Sequence, residues 1–420
     1  MAVLEYVDVD RLFVEVTDTV TYQSSNRKRI ERLPQIFWKN GGPWREANSW
    51  AFERATEETA KPKTIIGNIE RLLVYANFLE CQQLHWFYFP TRRADRCLVR
   101  YRGHLIGLRD SGYMAPSVAS SNMRTAIMLY RWVRSNGMLD ADYPLWRDKQ
   151  AYIKYFDAIG FERTLLRITT DLSIPNRKPP GLRLEDGLLP ISPADREIVL
   201  QHAKQNTSEE LYRMLAIGFF SGLRLGSICD LKVQTLKNAS PDSKTPDLYL
   251  LNIGPGARPR VHTKFGVTGQ AWIPKALLED LLDYSCSLRR SKRQSLAAPE
   301  DKDLLFLTRS GKPYCERGSG KSVPVNEEMS RFRKSGANAG IKALKKFHFH
   351  QTRCTFATEL ATIALRSGDA LNAIAIVKEA LLHVHERTSL GYIKFVEQTP
   401  TKSAAANDYM KAFSGSLNHD

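Results

Sequence analysis

A chain of 420 residues is longer than one ordinary domain and implies two or three folded units. Hydrophobic residues at 43% and charged residues at 25% exclude an intrinsically disordered chain and supply a sizeable core. The excess of 61 Lys and Arg over 45 Asp and Glu, a formal net charge of +16, favours a polyanionic partner, because each phosphate neutralised by a protein cation releases condensed counterions.

Cys81, Cys97, Cys229, Cys286, Cys315 and Cys354 stand singly, with no CxxC pair. That spacing argues against a zinc finger or a disulfide framework and fits a reducing interior. The opening MAVLEYVDVDRLF lacks the basic-then-apolar order of a signal peptide. No run approaches the roughly 18 apolar residues that span a membrane. The expectation is a soluble intracellular protein.

Residues 1–57 read as a mixed N-terminal extension, in which RLFVEV predicts a strand and NGGPW a turn. From Thr64 to Leu79 the spacing becomes helical, with Ile65, Ile69, Leu72, Leu73, Ala76 and Leu79 on one face. A second helical stretch runs from about Arg93 to Leu108, up to Asp110-Ser111-Gly112, and a third follows Pro116 and continues to Gly137. Residues 58–145 therefore form a small all-helical unit carrying Arg92, Arg93, Arg96, Arg100, Arg124, Arg131 and Arg134. On composition alone those charges belong to a solvated bundle. Pro175, Pro179, Pro180 and Gly181 make 146–187 a connector.

A second unit, 188–400, opens at LPISPADREIVLQHA, with Ser192 as N-cap and Pro193 at the first helical position. Helices then alternate with DLYLLNIG and HTKFGVTGQAWIP, a small sheet, and from about Val323 the pattern is mainly helical. Residues 401–420 are polar and Ala/Ser-rich and read as a tail.

Several groups in the second unit suit work on a phosphodiester. FFSGLRLGSICDLKV places Arg224 after the turn-like Ser221-Gly222-Leu223, at the head of a helix. FHFHQTRCTFATEL holds His350 and Arg353, whose spacing puts both on one face of a helix. LLHVHERTSLGYIKF holds His383 and, nine residues on, Tyr392, while Lys264 lies in the turn-bearing hairpin candidate HTKFGVTG. Singly, Arg224 reads as a helix cap, the two histidines as satisfied core groups, and Tyr392, between Leu390 and Phe395, as a packed core tyrosine.

Together these segments resemble the tyrosine site-specific recombinases, the phage-integrase family. SGLRLG is similar to the family's first box, HQTRCTFAT to its HxxR box, and LLH with Tyr392 to its closing box; LFLTRSGKPY resembles the strand and turn before the HxxR box. The match covers about 188–400, and 58–145 resembles the family's core-binding domain. The resemblance implies a mainly α fold with a small β-sheet in the catalytic domain (α+β), and a helical core-binding domain that closes with it as a C-shaped clamp on duplex DNA. It implies a catalytic set of Arg224, Lys264, His350, Arg353, His383 and the nucleophile Tyr392, with Arg92, Arg93, Arg96, Arg124 and Arg131 as DNA-binding candidates. It further implies double-stranded DNA carrying specific recombination sites, a homotetramer that synapses two duplexes, no metal, no other cofactor and no ATP. The location it implies is cytoplasmic, nucleoid-associated when on DNA.

The chemistry requires such residue types. Tyr392 would form a 3′-phosphotyrosyl bond and release a 5′-hydroxyl. Arg224 and Arg353 would fork onto the non-bridging oxygens, since guanidinium matches phosphate and stays charged when desolvated. Lys264 would act as general acid for the departing oxygen, His350 as base for the tyrosine, and His383 as a donor to the phosphate. Two positions depart from the family pattern. Ser227 stands where an acid usually holds the first arginine, with Asp230 one turn on as the available substitute, and Leu382 stands where glycine usually precedes the closing histidine. Two other readings stand beside it: a DNA-binding accessory protein of this fold without catalysis, and a type IB topoisomerase, which shares the chemistry but needs neither a defined site nor synapsis. The HxH pairs His348/His350 and His383/His385 lack a completing carboxylate or cysteine for a metal. GSGKS at 318–322 lacks the first glycine of a P-loop, and Arg289, Arg290, Lys292 and Arg293 read as a solvated patch able to touch phosphate.

Overall fold

In the computed structural model, which describes all residues except 11, 17–19, 25–28, 141, 157–161, 177–183, 316–321 and 400–420, the chain forms two units, Met1–Pro180 and Gly181–Asp420. The first is built on α1 (Arg45–Thr56), α2 (Pro62–Cys81), α3 (Cys97–Asp110) and α4 (Pro116–Ser135). The apolar stripe of α2 faces inward as its spacing predicts: Ile65, Ile69, Leu72, Ala76 and Leu79 are buried and Leu73 partly so. Both α2 and α4 begin on proline, where a missing N–H costs no helical hydrogen bond, and α4 stops where Gly137 turns to a φ of +67°. At the centre Tyr75 and Tyr130 are fully buried with their hydroxyls 2.8 Å apart.

Described residues within 1–57 belong to this core, with Leu33, Ile36, Trp44, Ala47, Trp50 and Ala51 buried in it. Strand β1 (Val3–Val9) pairs antiparallel with β4 (Ile30–Phe37), and RLFVEV supplies β2 (Leu12–Val16), paired with β3 (Val20–Ser24). The NGGPW turn, with Gly41 at φ +82°, brings Trp44 N to Ile36 O at 2.8 Å. The Trp44 ring then lies 4.9 Å from Trp38 and 6.1 Å from Tyr75, with no exposed surface. The 146–187 segment also differs from a plain connector. It contains the antiparallel hairpin β5 (Asp148–Phe156) and β6 (Glu162–Thr170), after which Leu172 and Ile174 return to the core. Leu166 and Ile168 of β6 are exposed, so these apolar residues do not mark a core-facing stripe, and the prolines are the stronger local signal in the sequence.

The second unit holds α5 (Pro193–Asn206), α6 (Glu209–Ser221), α7 (Leu225–Cys229), α8 (Val233–Lys237), α9 (Lys275–Cys286), α10 (Leu288–Ser295), α11 (Val323–Asn338), α12 (Gln351–Ser367), α13 (Ala370–Ala380) and α14 (386–399). Its one described sheet has the order β7 (Ser240–Pro241), β8 (Leu248–Ile253), β9 (Gly269–Pro274), antiparallel throughout. The fold is mainly α with a small sheet. Ser192 caps α5 through its side chain, accepting from Asp195 N at 3.0 Å. The central helix α6 buries Met214, Leu215, Ile217 and Phe219 and packs on α5, α12 and β9. LFLTRSGKPY forms a bridge and tight turn, with Thr308 N donating to Lys312 O at 2.8 Å. Most of GSGKS lies outside the described residues; Ser322 caps α11.

The basic run on α10 is divided: Arg290 and Arg293 are buried, while Arg289 and Lys292 stay exposed. Glu210, fully buried, accepts from Arg289 Nε at 2.7 Å and from Tyr284 Oη at 2.8 Å, and Arg293 Nη1 lies 3.1 Å from it. Arg290 donates through Nη2 to the carbonyls of Lys302 and Leu304. A buried carboxylate is tolerated only when paired, and these cations pair it. No described helix is long and apolar enough to cross a membrane.

Trp44 gives a direct check on the first unit. Trp44→Ala should cost the unit about 3–5 kcal/mol in denaturant unfolding; an unchanged midpoint would mean that the segment before α1 is not part of the core.

Candidate active site

Two backbone reversals set the site. Helix α6 ends at Gly222 (φ +65°), where a Cβ would lie 2.4 Å from Phe356 Cδ1 and 2.7 Å from Leu381 Cδ2, so only glycine fits. That turn leaves Arg224 at the N-cap of α7. Helix α13 ends in a Schellman turn: Leu382 N donates to Glu379 O and His383 N to Lys378 O, each at 3.0 Å, with Leu382 at φ +53°. Glycine is at home at such a position; leucine is held there at a cost of about 1–2 kcal/mol, its buried side chain packed towards Gly269. His350 is the N-cap residue of α12 and Arg353 lies in its first turn, so the HxxR spacing does place both on one side.

Arg224, Arg353, His350 and His383 converge on one carboxylate, that of Glu185, from the short turn Glu185–Gly187 near the start of the second unit. Arg224 Nη2 lies 3.1 Å and His383 Nε2 3.3 Å from Oε1. Arg353 Nε lies 3.1 Å and His350 Nε2 3.3 Å from Oε2. Arg353, 2% exposed, also donates Nη1 to Gly222 O at 2.6 Å and Nη2 to Leu381 O at 2.9 Å, the carbonyls presented by the two reversals. His383 Nδ1 is 2.9 Å from Ser389 Oγ at the start of α14.

Burial by itself would raise the Glu185 pKa, but contacts from His350 and His383 and the charges of Arg353 and Arg224 outweigh it and hold the carboxyl well below the usual carboxylate range. Burial, then the neighbouring Arg224 charge, lowers the pKa of Arg353. Burial likewise lowers that of His383, against the pull of Glu185.

Tyr392, on α14, is 1% exposed and packs with Ala357, Leu360 and Ala361, with its ring stacked on His383 at 6.1 Å. Its hydroxyl points to Cys354 Sγ at 3.9 Å, one residue along α12 from Arg353. Burial raises its pKa, the charges of Cys354 and Glu185 add to the rise, and Arg353 opposes it, so the resting phenol is neutral. Lys264 is not drawn into this group. It is exposed in the turn Lys264–Gly266, its ammonium 5.3 Å from the Phe265 ring centroid and without a hydrogen bond or ion pair among the described residues. Asp230 does not replace the acid missing at Ser227, because it accepts from His262 N at 2.6 Å and pairs with Lys232 at 2.7 Å. The acid at Arg224 is Glu185, which the sequence did not mark. Two guanidinium groups at the same point repel a cation, and the described residues contain no group of three or more His, Cys, Asp or Glu able to hold a metal.

The arginines of the first unit separate by partner. Arg96 donates to the carbonyls of Pro90, Thr91 and Pro144, and Arg93 pairs with Asp171, so both serve the fold. Arg92 is exposed beside Asp95; Arg131 is exposed, its guanidinium over Trp146; Arg124 is exposed on α4 with no hydrogen bond or ion pair among the described residues.

No protein-family model matches the chain. A curated tyrosine recombinase of Pseudothermotoga lettingae is 28% identical over 216 residues, 51% of this chain, which thus spans 58% of that relative. Among solved structures, the integrase of transposon Tn1549 in complex with circular intermediate DNA is similar with a TM-score of 0.50 and 16% identity, covering 83% of this chain and 94% of that one. The same integrase with transposon right end DNA gives 0.50, 15%, 86% and 99%. The chain resembles the tyrosine recombinases and shares their fold.

The recombinase-like site depends on Gly222. Gly222→Ala combines a left-handed φ with a clash against Phe356 and should cost about 2–4 kcal/mol in denaturant unfolding. An unchanged midpoint would contradict the reversal that presents its carbonyl to Arg353.

Proposed function

We propose that this chain is a site-specific DNA recombinase that breaks and rejoins DNA through a 3′-phosphotyrosyl intermediate. The observation that carries the reading is the meeting of Arg224, Arg353, His350 and His383 at a single anion, with Tyr392 buried against His383. Fixed donors at one oxyanion position are what a phosphodiester needs as charge grows at phosphorus. The similarity to a named tyrosine recombinase supports the same reading.

In the proposed reaction the Tyr392 oxygen bonds to phosphorus as the bond to the 5′-oxygen breaks. The phenol proton passes to His350, and Lys264 protonates the leaving oxygen, which ammonium can do where guanidinium cannot. Lys264 reaches that oxygen by movement of the connection between β8 and β9, and the Tyr392 hydroxyl turns from Cys354 to the phosphorus. His383 donates to a non-bridging oxygen. The 5′-hydroxyl of another strand then attacks the phosphotyrosine, returning the proton to the phenol oxygen and restoring the backbone without ATP. The partner is duplex DNA with defined sites, joined by four copies of the chain; the Tn1549 integrase is itself described in complex with DNA.

Incubation in EDTA with nicked duplexes carrying the end sequence of its own element should give a covalent adduct on a denaturing gel, lost in Tyr392→Phe while binding persists. Wild type that binds a true site without adduct would favour the accessory reading, and relaxation of arbitrary plasmid without site preference the topoisomerase. If Arg124 touches phosphate, Arg124→Ala should weaken binding to all sequences and reduce the slope of log K against log salt by about 0.9. An unchanged slope would remove Arg124 from the interface.

A further inference from the structure

Glu185 stands where the recombinase reading, on which this inference rests, puts the scissile phosphate. His383 has two ring nitrogens; Nδ1 faces Ser389 Oγ at 2.9 Å, so Nε2 is the one left for an anion, and it faces Glu185 Oε1. Arg353 has its two terminal nitrogens on the carbonyls of Gly222 and Leu381 and aims Nε at Oε2. Arg224 Nη2 and His350 Nε2 complete the set. A phosphodiester cannot take these nitrogens while the carboxylate holds them. Nor can it sit alongside, because like charges a few ångströms apart in a partly buried site repel strongly. A carboxylate offers two oxygens in a plane, as the non-bridging pair of a phosphodiester does, and both are used here.

We propose that Glu185 is an internal stand-in for the DNA phosphate. It keeps the cationic cradle assembled while no DNA is bound, and it is exchanged for the scissile phosphate when DNA enters, the Glu185–Gly187 turn leaving with it. The backbone bonds of the turn run within 184–188, from Gly187 N to Leu184 O and Leu184 N to Leu188 O at 3.1 Å and from Leu188 N to Glu185 O at 3.2 Å, so it can withdraw as a unit without breaking the hydrogen bonds of a helix. A permanent brace, replacing the acid absent at Ser227, would behave in the opposite way: removing it would slacken the arginines and weaken anion binding.

Inorganic phosphate is the probe, titrated calorimetrically into the whole chain. Glu185→Gln keeps the shape and removes the charge, and it should bind phosphate about tenfold or more tightly than wild type. Equal or weaker binding overturns the proposal. If Glu185→Gln does not fold, wild type decides by carboxyl labelling with a carbodiimide and glycine ethyl ester. Labelling of Glu185 should rise several-fold when random-sequence duplex is bound at low salt, while that of the buried Glu210 stays constant; unchanged Glu185 labelling on the complex overturns the exchange. A chain that binds no duplex at all fails the recombinase reading instead, and the phosphate titration still decides the role of Glu185.

Discussion

A guanidinium enclosed as fully as that of Arg353 must have every face answered, since an unpaired buried ion costs several kcal/mol. Two carbonyls and one carboxylate answer it. The carbonyls come from the ends of α6 and α13, where the chain reverses at Gly222 and Leu382, and the carboxylate comes from the turn that opens the second unit. Arg353 thus ties three separate stretches of chain to the first turn of α12. The same knot sets Arg224 after the first reversal and His383 after the second, so the site and the packing around α12 are one construction.

That construction also explains the state of the tyrosine. Its ring is held against His383 and its oxygen is buried, which keeps the phenol protonated. On the proposed function, a neutral, enclosed phenol beside an occupied cradle would keep the chain from cutting at every phosphate it meets.

Much of this was legible in the sequence where the determinants are local. The stripe of α2, the Ser192 cap, the proline starts and the HxxR face depend on residues within a turn or two of one another. What stayed hidden depends on distant partners. Arg293 looked solvated because Glu210, the buried acid it pairs with, lies on a different helix far back in the sequence. Glu185 looked like part of a connector because the arginine it serves lies 168 residues on. The one hint was negative: with serine at 227 the first arginine needed another acid, and the nearest in sequence, Asp230, was already bound to His262 and Lys232. The part that Ile36, Trp44 and Trp50 play in the core was underestimated because β4 and α1 pack on α2 and α4, which no short window contains.

One position in space holds a single anion between Arg224 and Arg353. A crystal structure of the chain with bound duplex DNA tests it most directly. A backbone phosphate is expected within hydrogen-bonding distance of both guanidinium groups, with Glu185 withdrawn and the Tyr392 oxygen turned towards phosphorus. A complex in which DNA lies elsewhere while both arginines still hold Glu185 would contradict it.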